Sequence, residues 1–131
     1  MKKPRLGQNY LIDENIACEI IRHADLSNDQ YVLEIGPGKG ILTTLLLENS
    51  MSLTAIEIDP KLCLALSDRF NVHENFELIQ TDALKYNYSQ LKNQCQVVSN
   101  LPYYAATHIL KRLIHYRERF TQITVMLQKE V

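Results

Sequence analysis

Apolar positions along this chain fall into two kinds of run, and the two kinds alternate. Short, nearly uninterrupted aliphatic or β-branched runs occur at "YVLEI" (31–35), "LTAIEI" (53–58), "FELIQ" (76–80), "CQVVS" (95–99) and "QITVML" (122–127). Their length and lack of strict alternation predict strands buried on both faces. Between and before them lie stretches with helical periodicity. Asp13 to about Ala24 opens on a capping residue and repeats Ile16, Ile20, Ile21 and Ala24 on one face. "ILTTLLLEN" follows the first strand and "PKLCLALSDRF" the second, the latter with Asp59 as cap and Pro60 at the first helical position. A further helix is expected from about Ala105 to Phe120.

Strands that alternate with helices pair in parallel through crossovers, so the expected fold is α/β, an open, doubly wound, mostly parallel sheet of Rossmann-like type. In such sheets ligands bind beyond the carboxyl ends of the strands, where the strand order reverses. The residues with chemical potential all stand at those ends. They are Gly36 to Gly40 after the first strand, Glu57 and Asp59 at the second, Asp82 after the third, and Asn100 to Tyr104 after the fourth.

Composition narrows the class without changing this picture. With 131 residues, 46% hydrophobic and 22% charged, the chain has the balance of one globular domain. No run reaches the roughly 18 apolar residues of a membrane span. The start "MKKPRLGQNYLIDEN" turns polar too soon for a signal peptide, so a cytoplasmic protein is expected. Cys18, Cys63 and Cys95 lie far apart and read as small hydrophobic residues, and the histidines show no metal-binding spacing, so no metal is expected. A net charge of -1 leaves any nucleic-acid affinity to local patches.

Glycines at 36, 38 and 40 permit positive φ and close backbone approach, so this loop can wrap a ligand and aim amides at it. The dinucleotide fingerprint would need glycine at position 41, which is Ile41, and no Walker pattern is present. Glu57 ends its strand roughly 20 positions beyond Gly36, where a carboxylate can accept both hydroxyl hydrogens of a ribose. Asp82 could accept a hydrogen bond from an adenine amine, although alone it would read as a helix cap. Together these describe an adenosine-containing cofactor, with S-adenosylmethionine favoured over ATP or a nicotinamide.

The stretch "SNLPYYAATHIL" (99–110) then suggests the acceptor. An exocyclic adenine amine is a poor nucleophile because its lone pair is delocalised into the ring. Acceptors that fix that nitrogen assist its methylation. The Asn100 side-chain oxygen and a carbonyl at Leu101 or Pro102 can take the two amine hydrogens. Pro102 stiffens the loop, and Tyr103, with Tyr104, offers a face on which a base can stack.

The motifs "GQNYL" (7–11), "VLEIGPGKGILT" (32–43), "AIEIDPKL" (55–62), "TDALKY" (81–86), "SNLPYYAATHIL" and "MLQKEV" (126–131) resemble, in order, those of ribosomal RNA adenine dimethyltransferases, the KsgA family. The resemblance implies the class I S-adenosylmethionine-dependent methyltransferase fold. It also implies a substrate of two adjacent adenosines near the 3′ end of small-subunit ribosomal RNA, alone or in a pre-ribosomal particle. By motif, Asn9 and Leu11 would touch the cofactor, Gly36 would lie against its methionine part, Glu57 would hold the ribose, and Asp82 the adenine, with Gly38 a further cofactor-binding candidate. Asn100 would border both cofactor and target amine. Tyr10 stands where phenylalanine is usual. Members of the family continue beyond this point into further strands and a small helical domain that helps select RNA. The expectation is therefore an N-terminal cofactor-binding portion over residues 1–131, incomplete after the fifth strand. That strand would leave an unpaired edge open to self-association.

On the helix expected at 105–120, His108, Lys111, Arg112, His115 and Arg119 would share one face, with Ile109, Leu110, Leu113 and Ile114 opposite. Tyr104, Lys111, Arg112 and His115 are the candidates for RNA contact. Lys2, Lys3 and Arg5 form a second basic cluster. Three rival readings remain: the macrolide-resistance enzymes that methylate large-subunit RNA, a DNA adenine methyltransferase, and a noncatalytic cofactor-binding module.

Overall fold

The computed structural model describes residues 13–128. In chain order these form α1 (Glu14–Ala24), β1 (Tyr31–Ile35), α2 (Ile41–Glu48), β2 (Ser52–Glu57), α3 (Pro60–Phe70), β3 (Phe76–Gln80), β4 (Cys95–Pro102), α4 (Tyr103–His115) and β5 (Phe120–Gln128). Short 3₁₀ turns at Tyr88–Gln90 and Arg117–Arg119 complete the chain. The five strands form one sheet in the order β3-β2-β1-β4-β5, with every neighbouring pair parallel. After β3 the chain crosses back over β1 to start β4, so the order reverses between β1 and β4.

The strand pleat sends alternate residues to two separate cores. Val32, Leu53 and Val98 face α1, α2 and α3, where Ala17, Ile20, Leu46, Leu66 and Phe70 are buried. Leu33, Ile35, Ile56 and Val97 face the other way, under Ala106, Ile109 and Leu113 of α4. This second core also holds Tyr88, Phe120 and Cys95. Tyr88 is fully buried, packs edge-on against Tyr86 with ring centroids 5.0 Å apart, and donates its hydroxyl to the Ala83 carbonyl at 2.7 Å.

Local signals explain the helix starts. Asp13 caps α1 through the Ile16 amide at 2.9 Å, and Asp59 caps α3 through the Lys61 amide at 2.8 Å, with Pro60 at the first helical position. Gly40 begins α2 at φ 90°, packed so closely that a Cβ would stand 2.8 Å from Phe70 Cε2. Its lack of a side chain thus serves helix packing, not ligand contact.

The fourth strand and the helix after it differ from expectation. β4 runs through Asn100 and Leu101 to Pro102, all eight of its residues buried, because it stays paired with β5 as far as Pro102 opposite Gln128. The stretch 100–102 is therefore strand, not loop. Pro102, at φ -68° and ψ 141°, is the cap from which α4 starts two residues earlier than the sequence suggests. That helix ends at His115, so Arg119 lies outside it, and Ile114 is 54% exposed, not buried.

Candidate active site

The loop after β1 leaves the sheet at Gly36, whose amide donates to the Ile56 carbonyl of β2 at 2.8 Å. Gly36 and Gly38 have φ values of 69° and 59°, conformations that a side chain would strain. The Gly38 amide donates to Glu57 Oε1 at 3.3 Å, and the Asp59 amide donates to Glu57 Oε2 at 3.0 Å. Glu57 is thus no exposed edge charge. It is 2% exposed and ties the glycine loop to the start of α3. Burial pushes its carboxyl above the usual range, opposed by the amides of Asp59 and Gly38. A carboxylate offers about four acceptor sites, so two backbone donors leave capacity for ribose hydroxyls.

Asp82 caps no helix, since the residues that follow it form a turn. Its Oδ1 accepts the Leu84 amide at 2.9 Å, while its residue lines a hollow of about 70 Å³ with Glu57, Gly36, Ile58, Leu84 and Leu101. The floor of that hollow comes from Ala105 and Ile109 of α4. Ile58 and Leu84 are 37% and 42% exposed, two apolar side chains beside the acidic pair that are suited to the faces of a flat ring. Sequence reading missed both, since exposed aliphatic residues carry no motif.

A smaller hollow adjoins on the other side of Gly36, lined by Glu34, Pro37, Lys39 and Asn100. Glu34 was also missed. It is 1% exposed, accepts the Thr43 hydroxyl at 2.7 Å, and is pushed up to about 8, chiefly by burial, with the Glu57 charge adding to the rise. Its signal in the sequence is an acidic residue inside an otherwise apolar strand.

Asn100 is 5% exposed and Leu101 1%, both held in the β4–β5 ladder, with Pro102 buried behind them. Tyr103 and Tyr104, on the first turn of α4, are 61% and 43% exposed. The structure therefore brings Gly36, Glu57, Asp82, Asn100 and Leu101 to two hollows that share Gly36, with Gly38 bonded to Glu57, whereas Tyr103 lines neither. Asn9 and Leu11 lie outside the described residues, as do Tyr10 and the basic cluster near the start.

The basic stripe is not continuous. His108, Lys111 and His115 are exposed on α4. Arg112, by contrast, is half-buried, donates to the Tyr86 carbonyl at 2.8 Å and lies over the Tyr116 ring. Arg119 donates to the Leu91 carbonyl. Both serve the aromatic core.

A larger hollow, about 530 Å³, lies at the amino ends of the strands among Tyr31, Ser52, Thr54, Glu77 and Lys92. Size alone would favour it. It has no glycine loop, and ligands of doubly wound sheets bind at the carboxyl ends, so the crevice around Gly36 is the better site. No group of three or more His, Cys, Asp or Glu suited to a metal occurs among the described residues. No helix among them is long and apolar enough to cross a membrane.

The family model for ribosomal RNA adenine dimethylase matches residues 1–131. Over 129 residues the chain is 44% identical to ribosomal RNA small subunit methyltransferase A of Clostridium botulinum (strain Okra / Type B1), covering 96% of this chain and 47% of that protein. The protein of the same name from Clostridium acetobutylicum is 38% identical over 130 residues, with 97% and 47% covered. The chain thus spans about half the length of the curated relatives it matches. Among solved structures, the 23S rRNA methyltransferase ErmE superposes with a TM-score of 0.81 at 29% identity, covering 92% of this chain and 48% of that one. A dimethyladenosine transferase from Plasmodium falciparum gives 0.74 at 29% identity, with 88% and 42% covered.

Proposed function

This chain belongs to the ribosomal RNA adenine dimethylase family, and from that premise we propose that it carries the cofactor-binding part of an enzyme that dimethylates adenosine amines of small-subunit ribosomal RNA. The substrate is two adjacent adenosines, and the methyl donor is S-adenosylmethionine. The observation that carries this reading is the position of Gly36. It lines both hollows, so an adenosine held at Glu57 and Asp82 would be continuous, past Gly36, with the residues Glu34 and Asn100.

The residues suit such a cofactor. Glu57 accepts the ribose hydroxyls, Asp82 accepts an adenine amine hydrogen, and Ile58 and Leu84 cover the ring, while Gly36 and Gly38 leave room for close approach. When bound, S-adenosylmethionine supplies an electrophilic methyl group on a sulfonium. The chain's own part is placement. Asn100 and a carbonyl of Leu101 or Pro102 accept the hydrogens of the target amine and aim its lone pair, and Tyr103 stacks on the base. No strong base is needed, because the amine becomes acidic once methylated and yields its proton to water. Lys111 and His115, with Tyr104, are the exposed groups of α4 that could meet RNA, whereas Arg112 is engaged within the fold.

The small-subunit target is favoured because the relatives at 44% and 38% identity carry that name, whereas the large-subunit neighbour stands at 29%. Calorimetric titration of this chain with S-adenosylmethionine, beside Glu57→Ala, tests the pocket, and methyl incorporation into purified ribosomal RNAs tests the target. Binding by the parent that weakens in the variant, with methyl groups on small-subunit adenosines, is expected. Incorporation into large-subunit RNA instead would refute the small-subunit assignment, and absence of cofactor binding by the folded parent would refute the whole reading.

A further inference from the structure

The sheet does not stay zipped at its point of reversal. β1 pairs with β2 along its full length, from Tyr31 opposite Ser52 to Ile35 opposite Ile56. With β4 it pairs only at Val32 opposite Gln96 and Leu33 opposite Val97. β4 meanwhile remains paired with β5 through Asn100, Leu101 and Pro102. β4 thus parts from β1 at the level of Glu34, and the hollow lined by Glu34, Gly36 and Asn100 lies at that parting.

The separation is bridged by a side chain. Successive amides of a strand point to opposite neighbours. The Gly36 amide is used on β2, so the Ile35 amide faces β4. In a continuous ladder it would meet a backbone carbonyl. Here it donates instead to Ser99 Oγ at 2.7 Å, a bond buried between residues that are 3% and 0% exposed. A side-chain hydroxyl thus takes the place of a ladder carbonyl where the β1–β4 pairing ends. Ser99 lies next to Asn100 in sequence, and Ile35 lies next to Gly36. This one bond joins the residue before the glycine loop to the residue before the one assigned to the target amine.

We propose that Ser99 is a positioning residue whose hydroxyl fixes the ends of β1 and β4 relative to one another, and so sets how Gly36 and Asn100 would meet the amino-acid end of the cofactor. The inference rests on the S-adenosylmethionine reading above. It assigns Ser99 no contact with the cofactor. Without the hydroxyl the buried Ile35 amide loses its acceptor, and the two strand ends lose the bond that joins them beside Gly36 and Asn100.

The test compares two ligands on the same chain by calorimetry. S-adenosylmethionine carries the amino-acid end, whereas 5′-methylthioadenosine shares the adenosine and sulfur but lacks it. Ser99→Ala is expected to weaken S-adenosylmethionine by about tenfold, the scale of one unsatisfied buried donor, while 5′-methylthioadenosine binds within about twofold of the parent. Ser99→Thr, which keeps the oxygen, is expected to restore most of the loss. Equal weakening of both ligands would overturn the inference, since it would mean that Ser99 merely supports the fold. So would no change in either, or a loss that threonine does not restore. Should Ser99→Ala fail to fold, Ser99→Cys, with a larger and weaker acceptor in the same place, is read by the same ratio. A parent chain that binds neither ligand would overturn the cofactor reading itself, and this inference with it. A parent that binds both, with unchanged variants, overturns the inference alone.

Discussion

On the β2 and β3 side of the reversal point, the groups assigned to adenosine are fixed by hydrogen bonds that mostly close within a few residues, whereas on the β4 side the groups assigned to the target base depend on distant partners. Glu57 receives the Asp59 amide and Asp82 receives the Leu84 amide, each two positions away. Asn100 and Leu101 are instead placed by pairing with Met126 and Leu127, and α4 rests on a core built from Tyr88, Phe120 and Leu113. The first side sets a buried Glu57 and a half-buried Asp82 beside the aliphatic Ile58 and Leu84. The second shows two tyrosines to solvent. A small cofactor can be enclosed by one strand end and its loop, while a nucleotide that arrives attached to a large RNA needs an open approach.

If the β4 side depends on its aromatic core, Tyr88→Ala should do the most damage. Emptying a fully buried tyrosine site and losing the bond to Ala83 should cost about 3–5 kcal/mol, read by urea unfolding. Tyr88→Phe removes only the hydroxyl and should cost about 1–2 kcal/mol. A loss below about 1 kcal/mol for the alanine variant would contradict the dependence claimed for that side.

The opposite side is probed by Glu57→Ala. It removes the acceptor for the Gly38 and Asp59 amides as well as the proposed ribose partner, and should weaken S-adenosylmethionine by about 2–3 kcal/mol in calorimetry. Unchanged affinity would remove Glu57 from the site.

The pH dependence of stability sharpens the comparison through Glu34, whose carboxyl is raised from 4.5 to about 8 in the fold. Between those values the folded chain binds a proton that the unfolded chain does not. Stability from this group is therefore full below 4.5 and is lost as pH rises toward about 8. The urea midpoint should fall over that range by an amount worth about one to a few kcal/mol, and Glu34→Gln should flatten the slope. A parent whose stability rises over the same range would show that Glu34 is ionised in the fold.

The smallest effect belongs to the exposed face of α4. Lys111→Ala should leave stability within about 0.5 kcal/mol, and it should lower RNA affinity while reducing the salt slope by about one. Binding of RNA that is indifferent to Lys111 and His115 together would move the RNA path elsewhere.

The sequence disclosed the fold well where burial and backbone preference agree. β1 and β3 match their apolar runs from end to end, and α1 and α3 start where Asp13 and Asp59 cap them. It disclosed less where a distant partner decides. Ser99, Asn100 and Pro102 look like the end of a strand, yet pairing with β5 carries β4 through all three. Helical spacing put Arg112 on a solvent-facing stripe, yet the Tyr86 carbonyl and the Tyr116 ring draw it inward. In the site, Glu57 and Asp82 stood out as carboxylates at strand ends, and the structure brings both to one hollow. Glu34 passed unnoticed within its apolar run. Ser99 was invisible for a different reason, since its role depends on where the pairing of β1 with β4 ends.

The seat of Gly40 against α3 bears on how the chain reaches this state. Phe70 covers that glycine, and its neighbour Arg69 donates to the Lys39 carbonyl at 2.8 Å across a sequence separation of 30. At the other end of α3, Asp59 is already bound to Glu57. The segment from β1 to α3 is thus closed on itself by contacts of modest range, which lose little loop entropy and can form early. Its amides should exchange with solvent as a single cooperative unit. The glycine loop then takes its shape as that unit folds, before any ligand arrives.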